Sequence, residues 1–448
     1  MTVSTIILAA GKGTRMKSPT PKILHKIAGK HLIAFSVDLA KSVESKETIV
    51  VVGKEIEQAT KTALSDTGIK FCLQKTQLGT GDAVKIAIKN LKSKSKYTLV
   101  LYADTPFVTK KTIKRMISKA NKGSEIVFLG FQSITKNSYG RFKTASKKTL
   151  IDIIEKNEPG YSSLASLSNS GILLARSNII ADLIKKIKNN NAKQEYYLTD
   201  IVKMASKQGY SSTYIQCEED ECLGVNSQLE LSVAERKYQD DFRKKLMASG
   251  VSMQSPETCF FSYDTKIKSG CVIEPNVVFG TGVEIESSTI IRSYSYIEGT
   301  HIGRHCQIGP FARLRPDTYL FSDVKVGNFV EIKNSTLASD TKANHLSYIG
   351  DAKVGANTNI GAGTIFCNYD GKNKHRTIVG DNVFVGSNAS LIAPLKIGDS
   401  SIVAAGSSIN RDVPSESLAI ARPIQQNKIG LGKKIMLKLQ KVADKVKG

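Results

Sequence analysis

The 448-residue sequence contains no tryptophan and no hydrophobic stretch long enough to cross a bilayer, so membrane insertion is not expected. Its cysteines (Cys72, Cys217, Cys222, Cys259, Cys271, Cys306 and Cys367) are odd in number, scattered and free of any C-x-x-C pair. A disulfide framework and a thiolate zinc cage are thereby excluded, and the thiols read as ordinary buried or surface groups. Acidic residues are scarce, 40 against 64 basic, for a net charge of +24. The excess is lysine, about four times as frequent as arginine and spread along the whole chain. A nucleic-acid reader concentrates its basic residues on one motif with arginine prominent, so no nucleic acid is expected as partner. The field instead favours anionic small substrates. The first apolar run follows no basic residue and ends at Gly11. No signal peptide is read there, and a cytoplasmic protein is expected.

The length calls for more than one core, and the periodicity changes midway. In the first half, apolar runs at 5–10, 48–52, 98–102 and 125–129 alternate with amphipathic stretches such as 110–120. That alternation predicts βαβ units, hence a mostly parallel, Rossmann-like sheet with helices on both faces. Leu231, Ala234, Tyr238, Phe242 and Leu246 then follow at steps of three and four residues, the pattern of one amphipathic connector helix ending near Gly250. Beyond it Ile267, Ile273, Phe279, Ile285, Ile291 and Ile297 recur every six residues. After a one-residue slip the step resumes at Ile302, Ile308, Leu314, Leu320, Val326 and Ile332, and again from Val379 to Ile409. Such a repeat predicts a parallel β-helix of hexapeptide type, three hexads to a triangular coil. The register is read as broken between Gly361 and Ile378, with 367–375 as a projecting loop. The expected domains are 1–228, a linker helix at 229–249, and 250–448. From Gly432 onward, Ile435, Leu439, Val442 and Val446 sit at helical spacing among lysines, which fits either a short amphipathic helix or a mobile basic tail.

Two clusters carry chemistry. Leu8, Ala9, Ala10 and Gly11, with Gly13 and Arg15, join a buried strand to a glycine-rich basic turn. Glycines let the backbone approach a phosphate, although Met16 stands where a dinucleotide fingerprint has its third glycine. Lys22 supplies a cation, Gln74, Gly79 and Thr80 belong to a second turn, and Asp104 ends a strand where open α/β sheets bind ligands. A carboxylate there suits Mg²⁺, which takes one or two carboxylates plus phosphate oxygens. In the second half, His345 stands among Arg313, Arg315, Lys333, Tyr348, Asn359, Ala362, Asn368 and Tyr369. Guanidinium and ammonium groups suit a sugar phosphate, and a neutral imidazole suits removal of an amine proton near pH 7.

Over nearly its whole length the chain resembles the bacterial bifunctional N-acetylglucosamine-1-phosphate uridyltransferase and glucosamine-1-phosphate N-acetyltransferase (GlmU) family. Tyr139-Gly140-Arg141, Glu155, Asn169-Ser170-Gly171, Glu195 to Asp200 and Gly224-Val225-Asn226 extend the match in order. The resemblance implies an N-terminal nucleotidyltransferase domain followed by a left-handed parallel β-helix. It implies acetyl transfer from acetyl-CoA to glucosamine-1-phosphate, then uridylyl transfer from UTP, giving UDP-N-acetylglucosamine for peptidoglycan and lipid A synthesis. Leu8 to Gly11, Gln74, Gly79, Thr80 and Tyr102 to Asp104 would hold the nucleotide; Gly140, Glu155 and Asn169 the sugar; Asp104 and Asn226 Mg²⁺. Lys22 and Arg15 would offset triphosphate charge. His345 would be the general base; Arg315, Lys333, Tyr348 and Asn359 would bind the sugar phosphate. Ala362, Ser387, Ala405 and Arg422 would take acetyl-CoA, with Asn368 and Tyr369 lining the site. A homotrimer is implied, with His345 and the CoA residues meeting across an interface. Ala103 and Asp317 depart from the family, each standing where glycine is usual. Asn226 also reads as an N-cap of the connector helix. Two other classes compete: a sugar-1-phosphate nucleotidyltransferase whose β-helix only oligomerises, and a non-catalytic assembly protein. The retained His345, Lys333 and Asp104 speak against them.

Overall fold

A computed structural model describes residues 2–133, 139–146, 149–156, 158–162, 167–191 and 193–447. The chain divides into two compact units, Met1–Phe242 and Arg243–Gly448.

The first unit is built on a nine-stranded sheet. In chain order its strands are β1 Val3–Leu8, β2 Glu47–Gly53, β3 Lys70–Gln74, β4 Tyr97–Tyr102, β5 Ile126–Gln132, β6 Arg141–Ser146, β7 Thr149–Ile154, β8 Leu167–Arg176 and β9 Ser212–Cys217. Their spatial order is β3-β2-β1-β4-β8-β5-β9-β7-β6. The first four are parallel, as is β5 with β9. The expected alternation is interrupted at β8, which runs antiparallel between β4 and β5, and at the antiparallel pair β6 and β7. All of β1 is buried, because helices cover both faces and period-2 polarity is lost. Ile6 and Leu8 join one apolar cluster with Val51, Val100 and Phe128; Ile7 and Ala9 join the other with Val50, Leu99 and Leu129.

The predicted connector is the helix Gln228–Ala248, and the division between units falls inside it. Ala234, fully buried, packs with Ile27, Ala28, Leu32 and Val225. Gly250 follows the helix at φ +94°, a left-handed conformation that glycine adopts without a Cβ penalty.

The second unit is a parallel β-helix of three sheets, with ten, eight and eight short strands. Every aliphatic residue of the predicted hexads is buried. The repeat runs on past Ile332: Leu337, Ala343, Ile349, Val354, Ile360 and Phe366 are buried too. The interruption is therefore confined to the stretch between Phe366 and Val379. Along this stretch alanine replaces a large aliphatic residue at 343, and single-residue slips precede Leu337 and Val354. Coil corners place side-chain-bearing residues at positive φ, among them Asn276, Asp323 and Asn357. Asn and Asp tolerate that region best, yet Tyr294, Phe311, Phe329 and Leu346 adopt it as well.

Ile349→Ala deletes a fully buried side chain and should destabilise the β-helix by about 2–5 kcal/mol. Exposed Lys353 changed to Ala should stay within about 0.5 kcal/mol. Urea unfolding of the two variants beside the parent checks both.

Candidate active sites

Parallel pairing brings the carboxyl ends of β1, β2, β3 and β4 to one edge, where α/β sheets bind ligands. A cleft of about 370 Å³ lies there, lined by Leu8 to Gly11, Lys22, Gln74, Gly79, Thr80 and Tyr102 to Asp104. These are the residues read from the sequence as nucleotide-binding. Gln77 and Glu195 also line it and were missed; Gln77 Nε2 donates to the Ala10 carbonyl at 2.5 Å, a contact no local pattern announces. Gly79 takes φ +107°, and a Cβ there would stand 2.7 Å from the Tyr196 carbonyl oxygen. Only glycine permits that approach. The Tyr196 carbonyl also accepts the Gly81 N–H at 2.7 Å, which fixes the segment carrying Glu195.

Asp104 and Asn226, 122 positions apart in sequence, meet at Lys22. The Lys22 ammonium is paired with the Asp104 carboxylate and donates to Asn226 Oδ1 at 2.9 Å. The Val225 N–H donates to the Asp104 carbonyl at 2.9 Å, anchoring the 224–226 loop to the end of β4. Asn226 is not the helix cap. Ser227 Oγ accepts the Glu230 N–H at 3.2 Å, and the Glu230 carboxylate takes the Asn226 N–H at 2.5 Å. This variant of the capping box leaves the Asn226 amide pointing at Lys22.

Gly140, Glu155 and Asn169 also converge. The Asn169 N–H donates to the Gly140 carbonyl at 2.8 Å, and a Cβ on Gly140 would lie 3.2 Å from Glu155 Oε1. A register shift between Asn169 and Leu173 bulges β8 and brings Gly171, at φ +87°, against the Tyr102 ring. Burial pushes the Glu155 carboxyl above its ordinary range, opposed by the Thr199 hydroxyl that donates to it. Burial, with the charges of Glu155 and Asp104, pushes the Tyr102 phenol up as well. Arg15 is exposed on the short turn Thr14–Met16 and, like Gly140, Glu155, Asn169 and Asn226, is not among the residues lining the cleft.

In the β-helix the predicted acetyl-transfer residues fall into columns. Asn328 pairs with His345 on the neighbouring coil, and the same register continues through Ala362, Ser387 and Ala405. Each coil is tied to the one before: the Gly363 N–H to the His345 carbonyl at 3.4 Å, Asn388 to Ala362 at 2.7 Å, Gly406 to Ser387 at 2.8 Å. Arg422 donates to the Ala405 carbonyl at 2.7 Å and ends the column. His345 Nδ1 is 2.9 Å from Asn328 Oδ1. An amide oxygen only accepts, so the ring proton sits on Nδ1 and Nε2 is left free to take another. Asn328 was missed because only coil stacking makes it a neighbour.

A second column carries cations. Arg315 is held by Glu331 at 2.7 Å, and Lys333 pairs in register with Gly350. The Lys374 ammonium, then burial and Arg315, push Lys333 below the usual ammonium range. Like charges gathered this way favour an anion. Lys374, also missed, comes from the projecting loop, whose Tyr369 bridges to it. In the same loop His375 bonds Asp370 at 2.6 Å, and the Asn373 N–H, His375 and the Lys372 N–H lower that carboxyl to about 2. Asn368 donates to the Tyr348 hydroxyl at 3.4 Å and to Asp351; a Cβ on Gly350 would collide with both Tyr348 and Asn368. Asn359 lies in the sheet of His345 but pairs with Lys342 and Phe384, outside its column.

The model of the MobA-like NTP transferase domain matches residues 5–167. Bacterial transferase hexapeptide repeats match 264–299, and the hexapeptide repeat of succinyl-transferase matches 376–411. The chain is 41% identical over 436 residues to the Bifunctional protein GlmU of Bartonella quintana (strain Toulouse), covering 97% of each. It is 44% identical over 451 residues, all of both chains, to that of Ruegeria sp. (strain TM1040). Against that of Wolbachia pipientis wMel it is 44% identical over 425 residues, 94% of this chain and 97% of the relative. The chain belongs to the GlmU family. As a member it is a bifunctional transferase, with uridyltransferase and acetyltransferase halves that synthesise UDP-N-acetylglucosamine.

Burial, then the Glu158 charge, raises the Asp200 carboxyl to about 6. A raised folded-state value means that ionising Asp200 opposes folding: its favourable contribution is complete at low pH and is lost as pH rises through about 6. Asp200→Asn should therefore gain on the parent in thermal midpoint between pH 4.5 and about 7.5, measured by calorimetry; a gap constant with pH would contradict the shift.

Proposed function

We propose that the cleft of the first unit performs the uridylyl transfer and the two β-helix columns the acetyl transfer, each with the residues gathered there. The corresponding division of labour is 1–228 for the first, 229–249 as connector and 250–448 for the second, in a cytoplasmic enzyme.

In the first site the phosphate oxygen of N-acetylglucosamine-1-phosphate attacks the α-phosphorus of UTP. A new P–O bond forms as the bond to pyrophosphate breaks. No protein nucleophile is needed, so positioning and charge carry the catalysis. Gly140, Glu155 and Asn169 orient the sugar, and the 8–11 turn with Gln74, Gly79 and Thr80 holds the nucleotide. Ala103, where the family has glycine, is 1% exposed, and its N–H donates to the Leu8 carbonyl at 3.0 Å. The observation that carries this reading is the convergence of Asp104 and Asn226 on one cation, the Lys22 ammonium. One carboxylate and one amide oxygen form a hard donor set that fits Mg²⁺ completed by phosphate oxygens and water. Mg²⁺ bound there would neutralise charge on the phosphates. Lys22 and Arg15 would offset the charge of the triphosphate.

In the second site the amine of glucosamine-1-phosphate attacks the thioester carbonyl of acetyl-CoA. A C–N bond forms, the C–S bond breaks and CoA leaves as the thiol. His345 Nε2 takes the amine proton and passes it to the departing sulfur, with Asn328 holding its tautomer. Arg315, Lys333, Tyr348 and Asn359 hold the sugar phosphate, and Ala362, Ser387, Ala405 and Arg422 hold acetyl-CoA along the coil edge, with Asn368 and Tyr369 lining the site. A flat prism face offers little concavity, so a CoA-sized cleft needs a neighbouring chain. Two features support a homotrimer. The exposed rings of Tyr294, Phe311 and Phe329 stack at 5.0 and 5.3 Å, and exposed Phe384, Ile402 and Leu418 align in register.

His345→Ala should lower thiol release by about 10²–10⁴-fold while pyrophosphate release from supplied N-acetylglucosamine-1-phosphate persists. Asp104→Ala should do the reverse, with chelation of Mg²⁺ stopping only the uridylyl step. Unequal dependence is the signature; loss of both activities together in either variant would defeat the assignment. Acetylation should also fall on dilution as trimers dissociate, followed by light scattering.

A further inference from the structure

The end of the chain, open in sequence between a helix and a mobile tail, is a 17-residue helix, Leu431–Lys447. Leu431, Ile435, Leu439, Val442 and Val446 recur at steps of three and four and so form one stripe. All five are exposed, from 40% at Leu431 to 83% at Val446. Every described side chain of the helix is exposed, so the rest of the described chain does not cover this stripe. Lys433, Lys434, Lys438 and Lys441 lie off it, and Asp444 is the helix's one acidic residue. Residues 422–430, exposed and without helix or strand, tether the helix.

We propose that this helix lies flat on an anionic phospholipid surface, with the stripe in the acyl boundary and the lysines among the headgroups. An apolar stripe beside a lysine-rich face, at low overall hydrophobicity, is the design of interfacial helices. Charge complementarity selects the occupant. Anionic headgroups neutralise the lysines, whereas the same helix of a second copy brings like charge to a chain already at +24. The helix is not a span, since no described helix is long and apolar enough to cross a membrane. The proposal does not depend on the activities assigned above, and none of the helix residues belongs to either site.

The absence of tryptophan supplies the test. In the full-length protein, Val442→Trp places one fluorophore on the stripe and Gln440→Trp one on the polar side. With vesicles of phosphatidylcholine and phosphatidylglycerol, emission from Val442→Trp should shift to the blue and that from Gln440→Trp should not. Ile435→Asp with Leu439→Asp should weaken sedimentation with these vesicles at least tenfold, with both transferase rates unchanged. Binding should fall as salt rises and be absent on pure phosphatidylcholine. No blue shift at Val442→Trp, an equal shift at Gln440→Trp, or binding indifferent to phosphatidylglycerol or to the double variant would overturn the proposal. A blue shift without vesicles that vanishes as oligomers are diluted would overturn it in favour of a second copy as the occupant.

Discussion

Parallel strand pairing is the constraint on which both sites depend. Parallel neighbours bring equivalent positions of distant segments to the same edge, in the same direction. In the first unit this collects the turns after β1, β3 and β4 around one cleft, with Gly11, Gln74 and Asp104 drawn from separate βα units. In the second it stacks coil upon coil, so that Asn328 and His345, 17 residues apart, become hydrogen-bonded neighbours. An antiparallel hairpin would have paired each segment with its immediate successor and dispersed both sets.

Charge organises what pairing assembles. The first unit balances Lys22 internally against Asp104 and Asn226. The second gathers Arg315, Lys333 and Lys374; Glu331 pairs with Arg315, and Lys374 pushes Lys333 below the usual ammonium range. His345 is exposed, and Asn328 contributes orientation rather than charge.

Much of this was legible in the sequence, for a physical reason. A hexapeptide repeat is dictated by one inward aliphatic residue per strand, so reading Ile267 to Ile332 at steps of six amounts to reading the core. Between Leu337 and Phe366 the pattern is weaker in the sequence, because Ala343 is small and the steps slip. The glycine-rich turn, Lys22 and Asp104 were visible because phosphate and metal chemistry restrict residue type. Asn226 illustrates the limit: as an isolated asparagine before a helix it reads equally as a cap. Ser227 takes that duty, because its hydroxyl and Glu230 close the capping box between them.

The sequence by itself determined the two architectures, the approximate position of the connector, the family and the residue types of each site, since periodicity and local chemistry need no long-range information. Only the tertiary structure decided which side chains act as neighbours. Gln77 on the Ala10 carbonyl, Glu195 in the cleft, Asn328 on His345 and Lys374 beside Lys333 are contacts between segments whose separation carries no periodic signal. The antiparallel entry of β8, and with it the bulge that brings Gly171 against Tyr102, likewise follows from sheet assembly. Local propensity marks β8 as a strand, but the choice of partner strand is made by the burial of both its faces.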